Sequence, residues 1–201
     1  MITLGPGDAL VIVDVQNDFL PGGALAVPDG DAVIAPLNRC IDAAVSSGAP
    51  VLATRDWHPP DHGSFRARGG PWPPHCVQGS RGAELAPALR LPRSAAVVSK
   101  GSDPDRDAYS GFQGTDLDDR LRALGVRRVL VGGLATDYCV LETVRDARAL
   151  GYEVVLLRDA ARPVDVRPGD GERAEQAMIR SGAAVASASD VVAGARGGAR
   201  G

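Results

Sequence analysis

The sequence has few of the residue types that bind polyanions, span membranes or form disulfide frameworks. Its 201 residues include only three cysteines and three histidines, and aromatic residues make up 4%. The 22 Lys and Arg residues are spread along the chain among 25 Asp and Glu residues, so a basic nucleic-acid surface is not expected. No apolar run approaches the roughly 20 residues that cross a membrane. The length is typical of one globular domain.

The three cysteines, Cys40, Cys76 and Cys139, are widely spaced and odd in number. The N-terminus has no charged n-region ahead of its apolar stretch, so we read it as the lead-in to a first strand and not as a secretory signal. Both features predict a cytoplasmic protein with free thiols. We expect Cys40 to lie in the core and favour a structural role for Cys76 over that of a ligand or redox thiol.

Short apolar runs alternate with helix-like stretches along most of the chain. Runs such as "ALVIVDV", "VLATRD" and "RRVLVGGL" are rich in β-branched residues and too short for helices. Residues 31–48 have helical apolar spacing, with Gly48 as the stop signal. Nearly continuous apolar strands are typical of a sheet buried on both faces. We predict a three-layer α/β/α fold with a mostly parallel sheet over residues 1–193, and a disordered Gly- and Arg-rich tail over 194–201.

Polar side chains follow four of the predicted strands. Asp14, Asp56 and Lys100 end apolar runs, and Cys139 enters the helix after "VLVGGL". Ligands of open α/β sheets bind at the carboxyl ends of the strands, so these groups are expected to meet there. A single charged strand end is often only solvent-facing, and Cys139 alone can be a small core residue. Together they favour a thiol nucleophile supported by Lys100, with Asp14 as general acid and base.

The segment before Cys139, "VGGLATDYC", is a glycine-rich turn. It contains neither G-x-G-x-x-G nor G-K-[ST], so nucleotide binding is weakly supported. Thr136 or Asp137 can cap the following helix and place Cys139 within reach of the helix dipole. Backbone N–H groups at the helix start would then form an oxyanion hole.

All three histidines fall in one Pro- and Gly-rich segment, with the spacing Asp56-x-His58-x3-His62-x12-His75. Residues i and i+2 of an extended chain point the same way, so Asp56 and His58 can converge. One carboxylate and three imidazoles suit one divalent metal ion: zinc, iron or manganese. Such a site can be closed and structural or can keep positions for water. The alternative is three solvent-facing loop histidines.

Five segments together resemble the nicotinamidases, also called pyrazinamidases, of the isochorismatase-like cysteine hydrolases. The segments are "VIVDVQNDFLPGGALAV", "RDWHPPDHGSF", "WPPHCVQG", "SKG" with the later "YSGF", and "GGLATDYCVLETVRDA". The resemblance spans roughly residues 8–190. It implies a Rossmann-like sandwich with a six-stranded sheet. It also implies hydrolysis of nicotinamide to nicotinate and ammonia in NAD salvage, with pyrazinamide as a second substrate.

The resemblance further implies roles for individual residues. The implied catalytic triad is Asp14, Lys100 and Cys139. A metal site completed by water, which binds the ring nitrogen of the substrate, is implied on Asp56, His58, His62 and His75. A non-proline cis peptide is implied before Ala135, whose amide would form the oxyanion hole with that of Cys139. The implied walls of the ring pocket are Phe19, Leu25, Trp72 and Tyr109.

Two departures from the family pattern affect what can be carried over. The stretch between His62 and Trp72 is short, so we expect a more open pocket, and substrate breadth stays open. Tyr138 occupies a variable position, and no role is expected for it. Relatives acting on N-carbamoylsarcosine or isochorismate lack the Asp-and-three-His set, and a scaffolding protein without catalysis would not need the triad. We expect a small-molecule substrate and neither nucleic acid nor membrane as partner; homo-oligomer formation stays open.

Overall fold

The computed structural model describes residues 1–194, so the predicted tail lies outside the described residues from position 195 onward. The strands are β1 (Ile2–Leu4), β2 (Asp8–Val13), β3 (Val51–Asp56), β4 (Ala96–Lys100), β5 (Arg128–Leu134), β6 (Glu153–Arg162), β7 (Ala184–Ala186) and β8 (Val191–Ala193). The α-helices are α1 (Ile34–Ser47), α2 (Leu117–Ala123), α3 (Leu141–Ala149) and α4 (Asp170–Arg180). Within this part of the chain, no helix is both long and apolar enough to cross a membrane.

Six strands form one parallel sheet in the order β4-β3-β2-β5-β6-β7. This confirms the predicted six-stranded α/β architecture. The chain moves outward from β2 through β3 to β4, then returns to the other side of β2 and moves outward again from β5. The strand order therefore reverses between β2 and β5, where open α/β sheets bind their ligands.

A second parallel sheet of two strands, β1 and β8, was not predicted. The sequence predicts only a lead-in to the first long strand at the N-terminus. Each of the two strands has three residues, too few for a period-two pattern to stand out from the surrounding loop.

Strand β2 divides two hydrophobic cores by simple alternation, because successive side chains of a strand point to opposite faces. Leu10 and Ile12 belong to the core that also contains Leu37 of α1. Val11 belongs to the other core, together with Leu121 of α2 and residues of α3 and α4. All six residues of β2 are buried, as expected for a strand covered by helices on both faces.

The predicted helix over 31–48 is shorter at its start than expected. A 3-10 turn spans Gly30–Val33, and α1 begins at Ile34. Its end is confirmed, since Gly48 adopts a left-handed conformation with φ of 76°. Cys40 is fully buried among the apolar residues of this helix, which confirms its core position.

Candidate active site

The two strands at the reversal point deliver Asp14 and the turn that carries Cys139. Asp14 directly follows β2, with a φ of 49°, and its backbone N–H donates to Thr54 O across the sheet. The hydroxyl of Thr54 donates to Asp14 Oδ1 at 2.6 Å. That bond uses Oδ1 and leaves Oδ2 of Asp14 without the Thr54 hydroxyl as a partner. Among the side chains that the structure describes, Oδ2 of Asp14 is the buried polar atom that accepts no hydrogen bond.

Lys100 lies at the centre of the polar groups that end the strands. Its Nζ is 2.9 Å from Asp14 Oδ2, in an ion pair without hydrogen-bond geometry, and donates to Asp56 Oδ1 at 2.5 Å. It also donates to the backbone carbonyl of Ala108 at 3.0 Å and lies 3.4 Å from the sulfur of Cys139. The ammonium, two carboxylates and thiol that the sequence predicted at one edge of the sheet thus lie in direct contact.

These groups are almost completely withdrawn from water, and burial sets the direction of the pKa shift for two of them, Asp14 and Cys139. Burial raises the pKa of Asp14, and the Lys100 ammonium only partly offsets that rise. Burial also raises the pKa of the Cys139 thiol well above its usual value, although Lys100 opposes it. Lys100 thus favours the thiolate, but burial has the larger effect and favours the protonated thiol.

Lys100 remains charged in the same surroundings. Burial alone would lower its pKa, but Asp14 and Asp56 more than compensate, and the pKa lies well above the ordinary value. For Asp56, the Lys100 ammonium and His58 outweigh the effect of burial and lower the pKa. The lowered pKa of Asp56 favours its ionised form, whereas the raised pKa of Asp14 favours uptake of a proton by its carboxylate.

The chain around Cys139 differs in detail from the predicted capped helix. Thr136–Val140 form one π-helical turn that leads into α3, and neither Thr136 nor Asp137 caps it. The carboxylate of Asp137 instead accepts the backbone N–H groups of Val164 and Asp165, both at 2.9 Å. The cap was predicted from local sequence, but the loop after β6 competes for the same carboxylate.

The Leu134–Ala135 peptide bond is cis, as the resemblance implied. The carbonyl of Ala135 accepts the amides of Tyr138 and Val140, both at 3.1 Å. Ala135 and Cys139 border the same cavity. The backbone on either side of Cys139 is therefore held in place by one carbonyl group.

Three of the four predicted metal ligands have their ligand atoms within 4.8 Å of one another: Asp56, His58 and His75. Nδ1 of His58 donates to Gly101 O at 2.9 Å, and Nδ1 of His75 donates to Pro73 O at 2.8 Å. Each bond leaves Nε2 as the nitrogen available to a metal, which is the usual arrangement of ligating imidazoles. Burial lowers the pKa of His75, which favours the neutral ring that binds metals.

His62 lies beside this group with its ring centroid 4.2 Å from that of His58. Its Nδ1 contacts the hydroxyl of Ser64 at 2.7 Å and accepts the Ser64 backbone N–H at 3.3 Å. This pattern favours the Nε2–H tautomer, which donates to Arg106 O at 3.2 Å. His62 must give up that bond to act as the fourth ligand.

A small cavity of about 50 Å³, here called the ring pocket, opens onto the sulfur of Cys139. The four residues expected to wall a substrate ring all line it: Phe19, Leu25, Trp72 and Tyr109. Trp72 Nε1 donates to the hydroxyl of Tyr109 at 3.1 Å and ties two loops over the pocket. Asp56 and His75 also reach the pocket, so its wall is continuous with the metal-ligand group.

A family model described as the isochorismatase domain matches residues 8–190. The chain belongs to the isochorismatase family. The matched range coincides with the span of the resemblance, and the six-stranded sheet and the cysteine at the reversal point are both contained in it.

Proteins named nicotinamidase or pyrazinamidase are among the relatives of this isochorismatase-family chain. It is 44% identical over 206 residues to a nicotinamidase of Escherichia coli, covering 92% of this chain and 97% of the relative. A crystal structure of Pyrococcus horikoshii pyrazinamidase in complex with zinc matches with a TM-score of 0.87 and 50% identity, covering 90% of this chain and 99% of that one. PnC1 from L. infantum in complex with nicotinate matches with a TM-score of 0.87 and 40% identity, covering 96% and 99%.

Sequence reasoning missed two residues of this isochorismatase-family site. Gln16 is fully buried; its amide donates to the backbone carbonyl of Asp56 at 2.8 Å and accepts the Asp56 N–H at 2.7 Å. Tyr138 lines the ring pocket, with its ring 5.3 Å from that of Trp72. Gln16 follows "VDV" as one polar residue among many. Tyr138 occupies a position that varies in the family, where no role is expected. Neither carried a local signal.

Proposed function

We propose that this amidohydrolase converts nicotinamide and water to nicotinate and ammonia, with Cys139 as the nucleophile. The observation that carries the proposal is a single cavity that combines a reactive polar wall with aromatic and apolar walls. One wall presents the Cys139 sulfur beside Asp14 and Lys100, and the others are aromatic and apolar with Asp56 and His75 at the edge. Such a cavity fits a flat heteroaromatic ring whose carboxamide carbon faces the sulfur. The names of the relatives support the same substrate.

The first step transfers the thiol proton of Cys139 to Asp14. Its Oδ2 is the buried atom without a hydrogen bond, and ligand atoms of Asp14 and Cys139 lie within 4.8 Å of each other. As the proton leaves, the sulfur forms a bond to the carboxamide carbon. Lys100 keeps its charge and compensates the negative charge that moves through the cluster.

The remaining steps return the proton and release both products. The amides of Ala135 and Cys139 are proposed to donate to the oxyanion of the tetrahedral intermediate. Asp14 gives its proton to the leaving nitrogen, the C–N bond breaks, and ammonia departs from a thioester of Cys139. Water then attacks the thioester, Asp14 takes one water proton, and the sulfur regains a proton as nicotinate is released. Pyrazinamide, nearly the same in shape, follows the same path.

A divalent metal ion is proposed for the group formed by Asp56, His58, His62 and His75. The donor set fits, because the Nδ1 atoms of His58 and His75 are tied to carbonyls and their Nε2 atoms are left for the metal. The neighbouring group of Asp14, Asp56 and Cys139 does not fit a cation, since the Lys100 ammonium already lies against all three. When bound, the metal supplies Lewis-acid binding of a ring nitrogen and so orients the substrate.

We place this reaction in the cytoplasm, as a step of NAD salvage. The three cysteines are free and buried in the structure, and free thiols persist in reducing compartments.

An ammonia-release assay with four compounds tests the proposal: nicotinamide, pyrazinamide, N-carbamoylsarcosine and isochorismate, the last followed by pyruvate. We expect turnover of the first two only. The discriminating feature is the ring pocket, whose described walls are mainly aromatic and apolar and so fit a flat heteroaromatic ring better than the aliphatic chain of N-carbamoylsarcosine or the dicarboxylate isochorismate. Preferred turnover of either of these acids would refute the assignment.

A further inference from the structure

Tyr138 is a wall residue of both the ring pocket and a second cavity. This second cavity, here called the outer groove, measures about 350 Å³ and lies between α3 and α4. Its walls include Leu141, Arg145, Arg173 and Ala177. Among the residues that the structure describes, Tyr138 is the one that lines both cavities.

The ring of Tyr138 packs against two other aromatic residues of the ring pocket. It meets Trp72 edge to face at 5.3 Å and lies 5.9 Å from the ring of Tyr109. The phenol ring therefore packs among the aromatic residues of the ring pocket, on a residue that also lines the outer groove. A smaller residue at this position would connect the two cavities.

The backbone at Tyr138 is held independently of the phenol. Its amide donates to Ala135 O at 3.1 Å, and the carboxylate of the preceding Asp137 is fixed by the amides of Val164 and Asp165. Truncation of the ring therefore removes the boundary without removing the contacts that position the neighbouring Cys139.

The arginines of the outer groove are paired with carboxylates, and a further carboxylate in its wall, that of Asp137, accepts two backbone N–H groups. Arg145 pairs with Glu142 at 2.7 Å, and Arg173 pairs with Asp170 at 2.6 Å. No excess cation is therefore presented to an anionic substituent by these pairs. The groove fits a neutral group, which is the class of substituent that would enter it from the ring pocket.

We propose that Tyr138 determines substrate size, restricting the enzyme to small ring carboxamides and excluding those with a bulky neutral ring substituent. This proposal rests on the proposed function. The excluded substituent would extend from the ring pocket into the outer groove. Tyr138 acts by shape alone and takes no part in bond making or breaking.

The test compares kcat/KM for nicotinamide and 5-phenylnicotinamide in the same preparation. The 5-position is adjacent to neither the ring nitrogen nor the carbon that bears the carboxamide. We expect Tyr138→Ala to raise the kcat/KM for 5-phenylnicotinamide, relative to the kcat/KM for nicotinamide, at least tenfold. Tyr138→Phe should keep the wild-type ratio within twofold, because it retains the ring. Leu141→Ala, which enlarges only the outer groove, should also keep it.

The ratio of the two kcat/KM values within one sample is independent of the folded fraction. Tyr138→Leu provides a second, less severe truncation, for which we expect an intermediate ratio. An unchanged ratio in both truncated variants, with nicotinamide still turned over by the wild type, would overturn the role of Tyr138 alone. An equal rise in Leu141→Ala would also overturn it, since loosening of α3 would then be the cause. A wild type that releases no ammonia from nicotinamide would overturn the proposed function and this proposal together.

Discussion

The ammonium of Lys100 lies 3.4 Å from the sulfur of Cys139, and through Asp56 the same ammonium is joined to the metal-ligand group. The nucleophile and the proposed metal site therefore share one buried cation. Substitution of Cys139 is expected to affect the chemical step, and substitution of a proposed metal ligand is expected to affect metal binding, so the two effects can be measured separately.

Replacement of Cys139 by Ala is expected to lower ammonia release from nicotinamide by on the order of 10³-fold or more, because the attacking atom is removed. Bound metal, determined by elemental analysis, should be unchanged, since the sulfur is not in the ligand group. Cys40→Ala is the matched control: this cysteine is equally buried but lies in α1, and its variant should stay active. Wild-type turnover by Cys139→Ala would refute the nucleophile assignment.

Replacement of Lys100 by Met should reduce both activity and stability. It leaves Asp14 and Asp56 buried without their shared cation, which is expected to lower the free energy of unfolding by about 3–5 kcal/mol. Urea unfolding measures this loss. The double variant Lys100→Met/Asp14→Asn should regain part of the stability, because one buried charge is gone, but none of the activity. Equal stability of the single and double variants would contradict this charge balance.

Replacement of His58 or His75 by Ala is expected to reduce both bound metal and nicotinamide turnover. Competition with a chelator measures metal affinity independently of catalysis. His62→Ala decides between a three-ligand and a four-ligand site, because its Nε2 faces Arg106 O in the structure. The proposal expects weaker metal binding in this variant too. Arg106→Ala is the control, since its backbone carbonyl is retained. Wild-type metal affinity in His62→Ala would remove His62 from the ligand set.

Gly101→Ala should weaken metal binding by displacing a ligand. A Cβ atom at Gly101 would lie 2.5 Å from Cε1 of His58, and the residue has a φ of 63°. Gly114→Ala is the matched control, with a φ of 67° and open space around the added atom. Both variants should lose about 1–2 kcal/mol of stability from the left-handed backbone. Only Gly101→Ala should lose metal affinity, and equal metal affinity in the two variants would argue against His58 as a ligand.

Much of the site was predictable because it depends on strand ends. Asp14, Asp56 and Lys100 each stand at or just after the end of an apolar run, and parallel strands carry those ends to one edge of the sheet. The nearly continuous apolar runs of the strands likewise predicted the three layers, since a strand that is apolar on both faces needs cover on both. The family motifs added the roles of the histidines and the pocket walls, which spacing alone left open.

Other features depend on segments far apart in the chain. The pairing of β1 with β8 joins the two ends of the described chain, and strands of three residues carry no pattern of their own. Asp137 was expected to cap its own helix, but its carboxylate binds the loop after β6, because that loop offers two N–H groups at 2.9 Å. Local sequence could not predict this competition.

The sequence by itself determined which chemical groups meet at the edge of the sheet, because that depends on the local alternation of apolar and polar residues. Only the tertiary structure decided what surrounds them: the burial that raises the pKa of the Cys139 thiol, the Gln16 amide that holds Asp56, and the place of Tyr138 in the walls of two cavities. These features arise from burial and from contacts between distant loops, which no single stretch of residues encodes.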